Sequence, residues 1–488
     1  MKVVVVGGGL AGLSAAHRVI ERAPEHEVVV LEAGPRAGGL LGTIERDGMV
    51  IETGPESILT DKPAAIELAS RLGIADRLIA TRAEHRGAYV VSHGRLEKVP
   101  EGFRLMAPAR WDAWWRTPVM SFRGKLRASL EPLVPRRRGG PEESLARFVE
   151  RRLGREVLDR LAQPLIGGIY GGDPDRLSLA ATMPRFLAME EKRGSVVRAM
   201  RASAETGAGA RYGLFVAFDR GMQVLVDALL GRLGDRVRLH ASVRSLERRG
   251  RGWTVSTERE RIDADRVVLA AGAGTAARLI EPHHRRLADA LLAIEHGSAA
   301  VVTFAWPREE VPHPLDAFGF VVPAVERRPS IAATFSSVKW PGRAPEGQVL
   351  LRVFLARVDG TDDELVRTAR RELRELMGIS APPRLWLVSR FERAMPQYHV
   401  GHLARAGAIE AMERELESVT LAGNALRGVG IPDTIRYAES KVDRDVVAGE
   451  RGATLEHVAV DWRSSKHAKT GGCASAEREP GGGAPQKN

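Results

Sequence analysis

The pattern of apolar and polar positions changes period several times along the chain. Val3–Val6 is four valines with no polar interruption, and Glu27–Leu31 repeats the pattern. Short β-branched runs of this kind predict strands buried on both faces, as in a parallel sheet. Between them, Leu13–Ile20 carries its apolar residues at helical spacing. Met49–Glu52 reads as a further strand, Lys62–Leu72 as a surface helix, and Ala88–Val91 with Arg95–Val99 as a hairpin about Ser92-His93-Gly94. From about Phe103 to Ala204 the pattern turns helical, basic and proline-punctuated. Phe215–Phe218 returns as a strand, and Met222–Leu233 follows at helical spacing. Val237–Leu239, Ser242–Leu246 and Val267–Gly272 are read as strands, the last buried and ending in small residues. Ala299–Phe304, Phe318–Val322, Ile331–Thr334 and Val349–Leu355 predict an antiparallel sheet that walls a pocket. Asp362–Met377 is an amphipathic helix with Leu365, Val366, Ala369, Leu373 and Leu376 inward, and Leu385–Phe391 is another strand. Val419–Asn424 leads through a glycine turn into a helix ending near Val447, after which periodicity is lost.

The first strand and helix are joined by Gly7-Gly8-Gly9-Leu10-Ala11-Gly12. Gly7 permits a tight turn, Gly9 lets backbone approach a pyrophosphate, and Gly12 lets the helix pack on the strand. The helix N-terminus offers N–H groups and a positive dipole end to phosphates. Glu32 closes the second strand, 20 residues after Gly12, where a carboxylate for ribose hydroxyls is expected. Strand, glycines, helix, strand and acid together predict a bound dinucleotide. Gly38-Gly39 and the Gly54-Pro55-Glu56-Ser57 turn then depart from a simple NAD-binding unit.

A chain of 488 residues exceeds a single core, so two or three domains are expected. No window of some 18 apolar residues free of charge occurs, so no spanning helix is expected. No signal peptide is expected at the start, because Val3–Val6 is too short for an apolar h-region. The lone cysteine, Cys473, excludes an intrachain disulfide and a cysteine metal site, and a cytosolic setting fits. A net charge of +11 suits nucleic acid, acidic lipid or an anionic small molecule. No nucleic-acid motif accompanies the charge, and a solvated surface is the favoured reading. Trp111, Trp114 and Trp115 lie near the basic run Arg136–Arg138. A packed tryptophan cluster is favoured, with peripheral membrane contact as the minor alternative. Pro164–Pro174 holds four glycines and an Asp-Pro and is read as a turn lining a pocket. His399 and His402 have no cysteine or carboxylate partner nearby, and no metal site is expected.

Taken together, Gly7–Gly12, Gly38-Gly39, Gly54–Ser57, Gly168–Asp173, Met395–His402 and Gly428–Asp433 resemble the porphyrinogen oxidases of the flavin amine oxidase superfamily. The resemblance covers about residues 1–447. It implies an α/β (α+β multidomain) architecture: a Rossmann-like FAD-binding domain, an antiparallel-sheet substrate domain and a helical subdomain that touches membranes in some members. The implied division gives residues 1–85, 211–290 and 396–447 to the FAD domain. Residues 86–210 form the hairpin and helical subdomain, 291–395 the substrate sheet, and 448–488 a disordered tail.

Carried over residue by residue, Gly7, Gly8, Gly9, Leu10, Ala11 and Gly12 would hold the pyrophosphate of a non-covalent FAD, and Glu32 its ribose. Ala33, Gly38, Gly39, Gly54, Pro55, Glu56 and Ser57 would line the cofactor. Val243 would meet adenine, Val429, Gly430 and Ile431 the isoalloxazine, and Phe391 stands where the family usually has tryptophan. Gly168, Ile169 and Tyr170 would meet a tetrapyrrole substrate. Ala88 stands where mitochondrial-type members have arginine, which favours coproporphyrinogen III over protoporphyrinogen IX. Arg82, Arg86, Lys192 and Arg193 are candidate cations for its propionates, although a solvated surface charge is favoured for each. The implied activity is oxidation of the porphyrinogen, with hydride passing to the flavin and oxygen as final acceptor, so no general base is assigned. Another oxidase of the superfamily, or a flavin- or tetrapyrrole-binding carrier without turnover, are the alternatives. A cytoplasmic protein, peripheral to the inner face of the membrane or free of it, and a homodimer are both compatible with these patterns.

Overall fold

The computed structural model describes residues 1–205 and 214–448. Of the tail expected at 448–488, all but residue 448 lies outside the described residues.

Five strands form one parallel sheet, among them the two runs expected to be parallel, Val3–Val6 and Val267–Leu269. Its order is Val237–Arg238, Glu27–Leu31, Lys2–Val6, Arg266–Leu269 and Val419–Leu421, and every neighbouring pair is parallel. The register aligns Val3 with Val28 on one side and with Arg266 on the other. Strand side chains alternate between faces, and here both faces are covered. Val3, Val5, Val28 and Val30 enter a core shared with helices Leu10–Arg22, Ala64–Leu72, Gln223–Leu233 and Ile431–Val442. Val4, Val6, Val29 and Leu31 enter a second core. That core is closed by the antiparallel sheet Val243–Arg249, Gly252–Thr257, Arg261–Ala264 and by helices Ala273–Ile280, Arg285–Leu292 and His402–Glu413. This two-sided burial is why the valine runs have no polar alternation.

A second, seven-stranded sheet is built from Leu385–Pro396, His296–Pro307, Gln348–Leu355, Ser330–Phe335, Gly319–Val321, Tyr89–Ser92 and Arg95–Lys98, in that order. All pairs are antiparallel except Gly319–Val321 with Tyr89–Ser92. By hydrogen bonding, therefore, the hairpin belongs to this sheet. Helix Asp362–Met377 packs on it through Leu365, Val366, Ala369 and Leu373, with Leu376 half-buried. Its start is set by a capping box in which Thr361 and Glu364 bond each other's backbone N–H.

The expected helical segment packs around Trp114, Phe148 and Phe186, all fully buried. Its floor is a charged cluster: buried Arg152 bonds the Glu131 carboxylate, which also accepts from Ser195 and from the N–H groups of Val196 and Val197. Within this segment one expectation is corrected. Residues 164–170 are not a turn but helix Gln163–Tyr170, which continues a π-helical stretch at Leu158–Ala162. Pro164 sits in the first turn, where a missing N–H is least costly. Buried Leu161, Ala162 and Ile166 hold the helix against its core, outweighing about 1 kcal/mol for each of Gly167 and Gly168. The chain leaves at Gly171, whose φ is 59°.

Candidate functional site

Because the strands run parallel, every turn leaving the sheet's carboxyl edge opens on the same side. Three helices begin there, at Leu10, Ala273 and Ile431, and none has a side-chain N-cap. Their first N–H groups have no intrahelical acceptor, so this edge carries positive partial charge.

The first turn is shaped by missing β-carbons. Gly7 has φ 107°, and a Cβ there would stand 3.0 Å from Ala271 N. A Cβ on Gly12 would stand 1.9 Å from the Gly7 carbonyl oxygen. Gly9 differs: its Cβ would meet only Gly39 Cα, at 3.7 Å. The protein itself does not need glycine at residue 9, so the open space there suits a ligand. Gly38 N donates to Gly8 O at 2.8 Å, and the two glycine segments lie side by side. Arg36 clamps the second segment by donating to Gly39 O (2.8 Å) and Leu41 O (2.7 Å).

The Glu32 carboxylate accepts from Gly8 N and Gly34 N, both at 2.7 Å. It ties the first turn to the second strand, and each oxygen keeps a lone pair for a further donor. Glu32 N donates to Arg238 O at 2.9 Å, and Ala241 N donates to Glu32 O at 2.8 Å. This brings buried Val243, two residues on, to the Glu32 end of the edge.

The Gly54–Ser57 turn comes so close that a Gly54 Cβ would lie 1.8 Å from Leu40 O. In this turn the Glu56 side chain is fixed by partners far along the chain. Its carboxylate is buried and held inside the protein by Lys339 (2.7 Å), Arg352 (3.1 Å) and Ser336 Oγ (3.1 Å). Burial alone would raise its pKa, but the two cations outweigh that and hold it at about 2. Arg352 also donates to Gly54 O at 2.6 Å, so the same guanidinium fastens the turn to the seven-stranded sheet. Nothing in the local sequence signals these partners, which stand about three hundred residues away.

At the far end of the edge, Val429, Gly430 and Ile431 open the last helix. Asp433, in its first turn, is buried and bonds Lys62 Nζ at 2.5 Å and Arg436 at 3.2 Å. Lys62, read from the sequence only as the start of a surface helix, pairs with this turn from 371 residues away. The last helix lies along the first, fastened by Arg18, which donates twice to Asp443 at 2.9 and 2.7 Å.

The expected substrate residues meet the same turn. Burial pushes the Tyr170 pKa up to about 12, with the Asp433 charge adding. Gln397 Nε2 donates to Tyr170 O at 3.1 Å, and a Gly172 Cβ would collide with Gln397 Oε1. Tyr398 donates to Asn424 O at 2.6 Å and stacks on His402, whose Nε2 lies 2.9 Å from Leu426 O. The segments 168–173, 395–402 and 424–433 are therefore one assembly. Phe391 is half-buried on strand Leu385–Pro396, opposite Ala299. Arg82, Arg86, Lys192 and Arg193 are all exposed.

A family model described as flavin containing amine oxidoreductase matches residues 10–444. The chain belongs to the flavin-containing amine oxidoreductases. It is 33% identical to a coproporphyrinogen III oxidase of Propionibacterium freudenreichii, covering 91% of this chain and 90% of the relative. A coproporphyrinogen III oxidase of Bacillus subtilis is 32% identical, with coverage of 90% and 97%. A chloroplastic protoporphyrinogen oxidase of Nicotiana tabacum is 30% identical, with coverage of 88% and 82%. A crystal structure from Exiguobacterium, of a protein provisionally named a protoporphyrinogen oxidase, superposes with a TM-score of 0.82 at 28% identity and covers 91% of this chain and 98% of that one. As a flavin-dependent oxidoreductase, this protein takes FAD. The carboxyl edge fits it: an uncapped helix and a Cβ-free gap at Gly9 suit the pyrophosphate, and Glu32 keeps lone pairs for ribose hydroxyls.

Proposed function

We propose that this flavin-dependent oxidoreductase oxidises coproporphyrinogen III to coproporphyrin III in heme biosynthesis, with molecular oxygen as final acceptor. The observation that carries the reading is the joining of segments 168–173 and 395–402 through Gln397, against the turn that opens the last helix. The identities of 33% and 32% to coproporphyrinogen III oxidases support the substrate.

Bound FAD supplies the two-electron acceptor. The chain's own residues position and polarise. Leu10 and Ala11 would present free N–H groups to the pyrophosphate, Glu32 would accept from the ribose, and Val243 would pack at the adenine end. The N-terminus of Ile431–Val442 would turn its positive end toward the ring and favour negative charge there. Lys62 and Arg436 offset the Asp433 carboxylate, which would otherwise oppose that effect. Tyr170 stays protonated through the neutral range and keeps its hydroxyl on Thr182 O, at 2.9 Å. The direct test is anaerobic mixing of the yellow protein with each porphyrinogen while flavin absorbance is followed. Bleaching faster with coproporphyrinogen III supports the reading. No bleaching with either substrate ends it, and faster bleaching with protoporphyrinogen IX reverses the choice.

A peripheral lipid contact accompanies this reading. Phe122 and Leu133 are 70% and 75% exposed, and Trp115, Leu126 and Leu130 extend the same apolar stretch. Exposed Arg116 and Arg123 flank it, which suits an anionic lipid surface. No helix among the described residues is long and apolar enough to cross a membrane. A cytoplasmic setting with reversible contact on the inner face of the membrane fits that stretch. Sedimentation with anionic vesicles is expected for the protein and not for Phe122→Ser/Leu133→Ser. Protein left in the supernatant removes the lipid contact.

A further inference from the structure

A concave groove of about 670 Å3 lies along the outer side of helix Asp362–Met377 and shares no lining residue with the glycine cradle. Its size is that of a small-molecule site. Arg367, Arg370, Arg371 and Arg374 line it at spacings of three and four, so they share one helix face over about 10 Å of axis. Among the described residues, none of these four has an ion-pair or hydrogen-bond partner for its guanidinium. Four of the nearby acids are already engaged, while exposed Asp363 stands one turn before Arg367. Glu372 and Glu375 bond Arg328, and Glu364 closes the capping box. Asp359 holds Arg357 at 2.6 Å. Four like charges on one face destabilise an isolated helix, a cost that Asp363 and Glu375, each one turn from an arginine, offset only in part. The remaining lining adds Pro329 and the edges of the core residues Leu355, Leu365 and Ile379 to polar side chains, the paired Asp359 and Glu364 among them.

We propose that this groove is a second, non-catalytic site for a small molecule that joins a flat apolar body to two or more carboxylates. Guanidinium forks match carboxylates bidentately and also stack on flat aromatic faces, which a lysine cluster would not do. The product of the reaction argued above is of this class, and its choice as the natural ligand rests on that reading. The groove would hold the released tetracarboxylate away from the flavin.

The test uses flavin-loaded, full-length protein and the triple variant Arg367→Gln/Arg371→Gln/Arg374→Gln. The variant removes like-charge repulsion, so its melting temperature is expected to match or exceed the parent's. Coproporphyrin III binding is measured at low salt by fluorescence against flavin content. The parent is expected to bind two porphyrins per flavin. The variant keeps one, while affinity at the other falls by at least about tenfold, as the loss of several exposed charge pairs implies. Flavin bleaching by porphyrinogen stays unchanged. Equal stoichiometry and affinity in the two proteins overturns the proposal. Benzenehexacarboxylate, measured by calorimetry, probes the groove without a tetrapyrrole. If bleaching fails but the variant loses this probe, the proposed reaction falls and the groove stands. If both proteins bind the probe equally, the groove falls whatever the bleaching shows.

Discussion

The turn at Gly7–Gly12 and the turn at Gly428–Asp433 look alike in outline. Each leaves a parallel strand, opens an uncapped helix, and faces the same edge of the sheet. Both need a glycine without a β-carbon, at Gly12 and at Gly428, but they differ in what else holds them. The first has no acid in its opening turn and depends on absent atoms, since β-carbons at Gly7, Gly8 or Gly12 would collide with backbone or with Glu32. The last depends on a buried charge, Asp433, matched by Lys62 from 371 residues away. The Gly54–Ser57 turn is anchored in the second way, by Glu56 with Lys339 and Arg352. All three turns are therefore steric fits, and those at Gly54 and Gly428 add an electrostatic balance.

The strongest way to break this contrast is the same substitution made three residues apart. In Gly12→Ala the new Cβ meets a backbone carbonyl at 1.9 Å, which no rotamer change relieves. A cost above about 4 kcal/mol is expected, with no flavin-loaded protein recovered. In Gly9→Ala the new Cβ has ordinary contacts and φ is −73°, so the apoprotein should melt within experimental error of the parent. FAD affinity should nevertheless fall by about tenfold or more, because only the pyrophosphate contests that space. Equal flavin content in the two variants would dissolve the distinction between them.

The electrostatic balance responds to pH. Glu56 is held at about 2 in the folded protein against an ordinary value of 4.5. A carboxyl with a depressed folded pKa stabilises above its unfolded value and loses that contribution as pH falls from 4.5 toward 2. The contribution is roughly 3 kcal/mol at neutral pH. Glu56→Gln should melt lower than the parent at pH 7, and the gap should narrow as pH is lowered from 5 to 3. A constant gap would mean that Glu56 acts by packing rather than by charge.

The same contrast governs what the sequence could reveal. Glycine spacing and valine runs are local, so Gly7–Gly12, Glu32 and the parallel strands could be read directly, as could helix Asp362–Met377. Residues 164–170 misled because glycine content argues for a turn, whereas the burial of Leu161, Ala162 and Ile166 is a tertiary fact. The hairpin at 252–264 carries a period-two signal, Trp253, Val255, Ile262 and Ala264, that a search for apolar runs passes over. Lys62 and Lys339 have no local signature at all. Each is one lysine on a surface-like stretch, made specific only by a carboxylate that folding brings to it.

The smallest expected effect tests the electrostatic balance most directly. Asp433 sits in the first turn of a helix whose positive end would face the flavin ring, and its charge opposes that dipole. Lys62 cancels much of the opposition, although its side chain is 42% exposed and solvent screens the effect. Lys62→Met should therefore make the flavin midpoint potential more negative by on the order of 30 mV, about 1.4 kcal/mol for a two-electron couple. Asp433→Asn should shift it in the positive direction. The double variant should lie near the parent, because both members of a neutral pair are then gone. The potentials are measured by dye-coupled reductive titration of the flavin at constant ionic strength. If both single variants shift it the same way, the pair acts through helix geometry and not through charge balance, and the contrast between the two turns loses its electrostatic side.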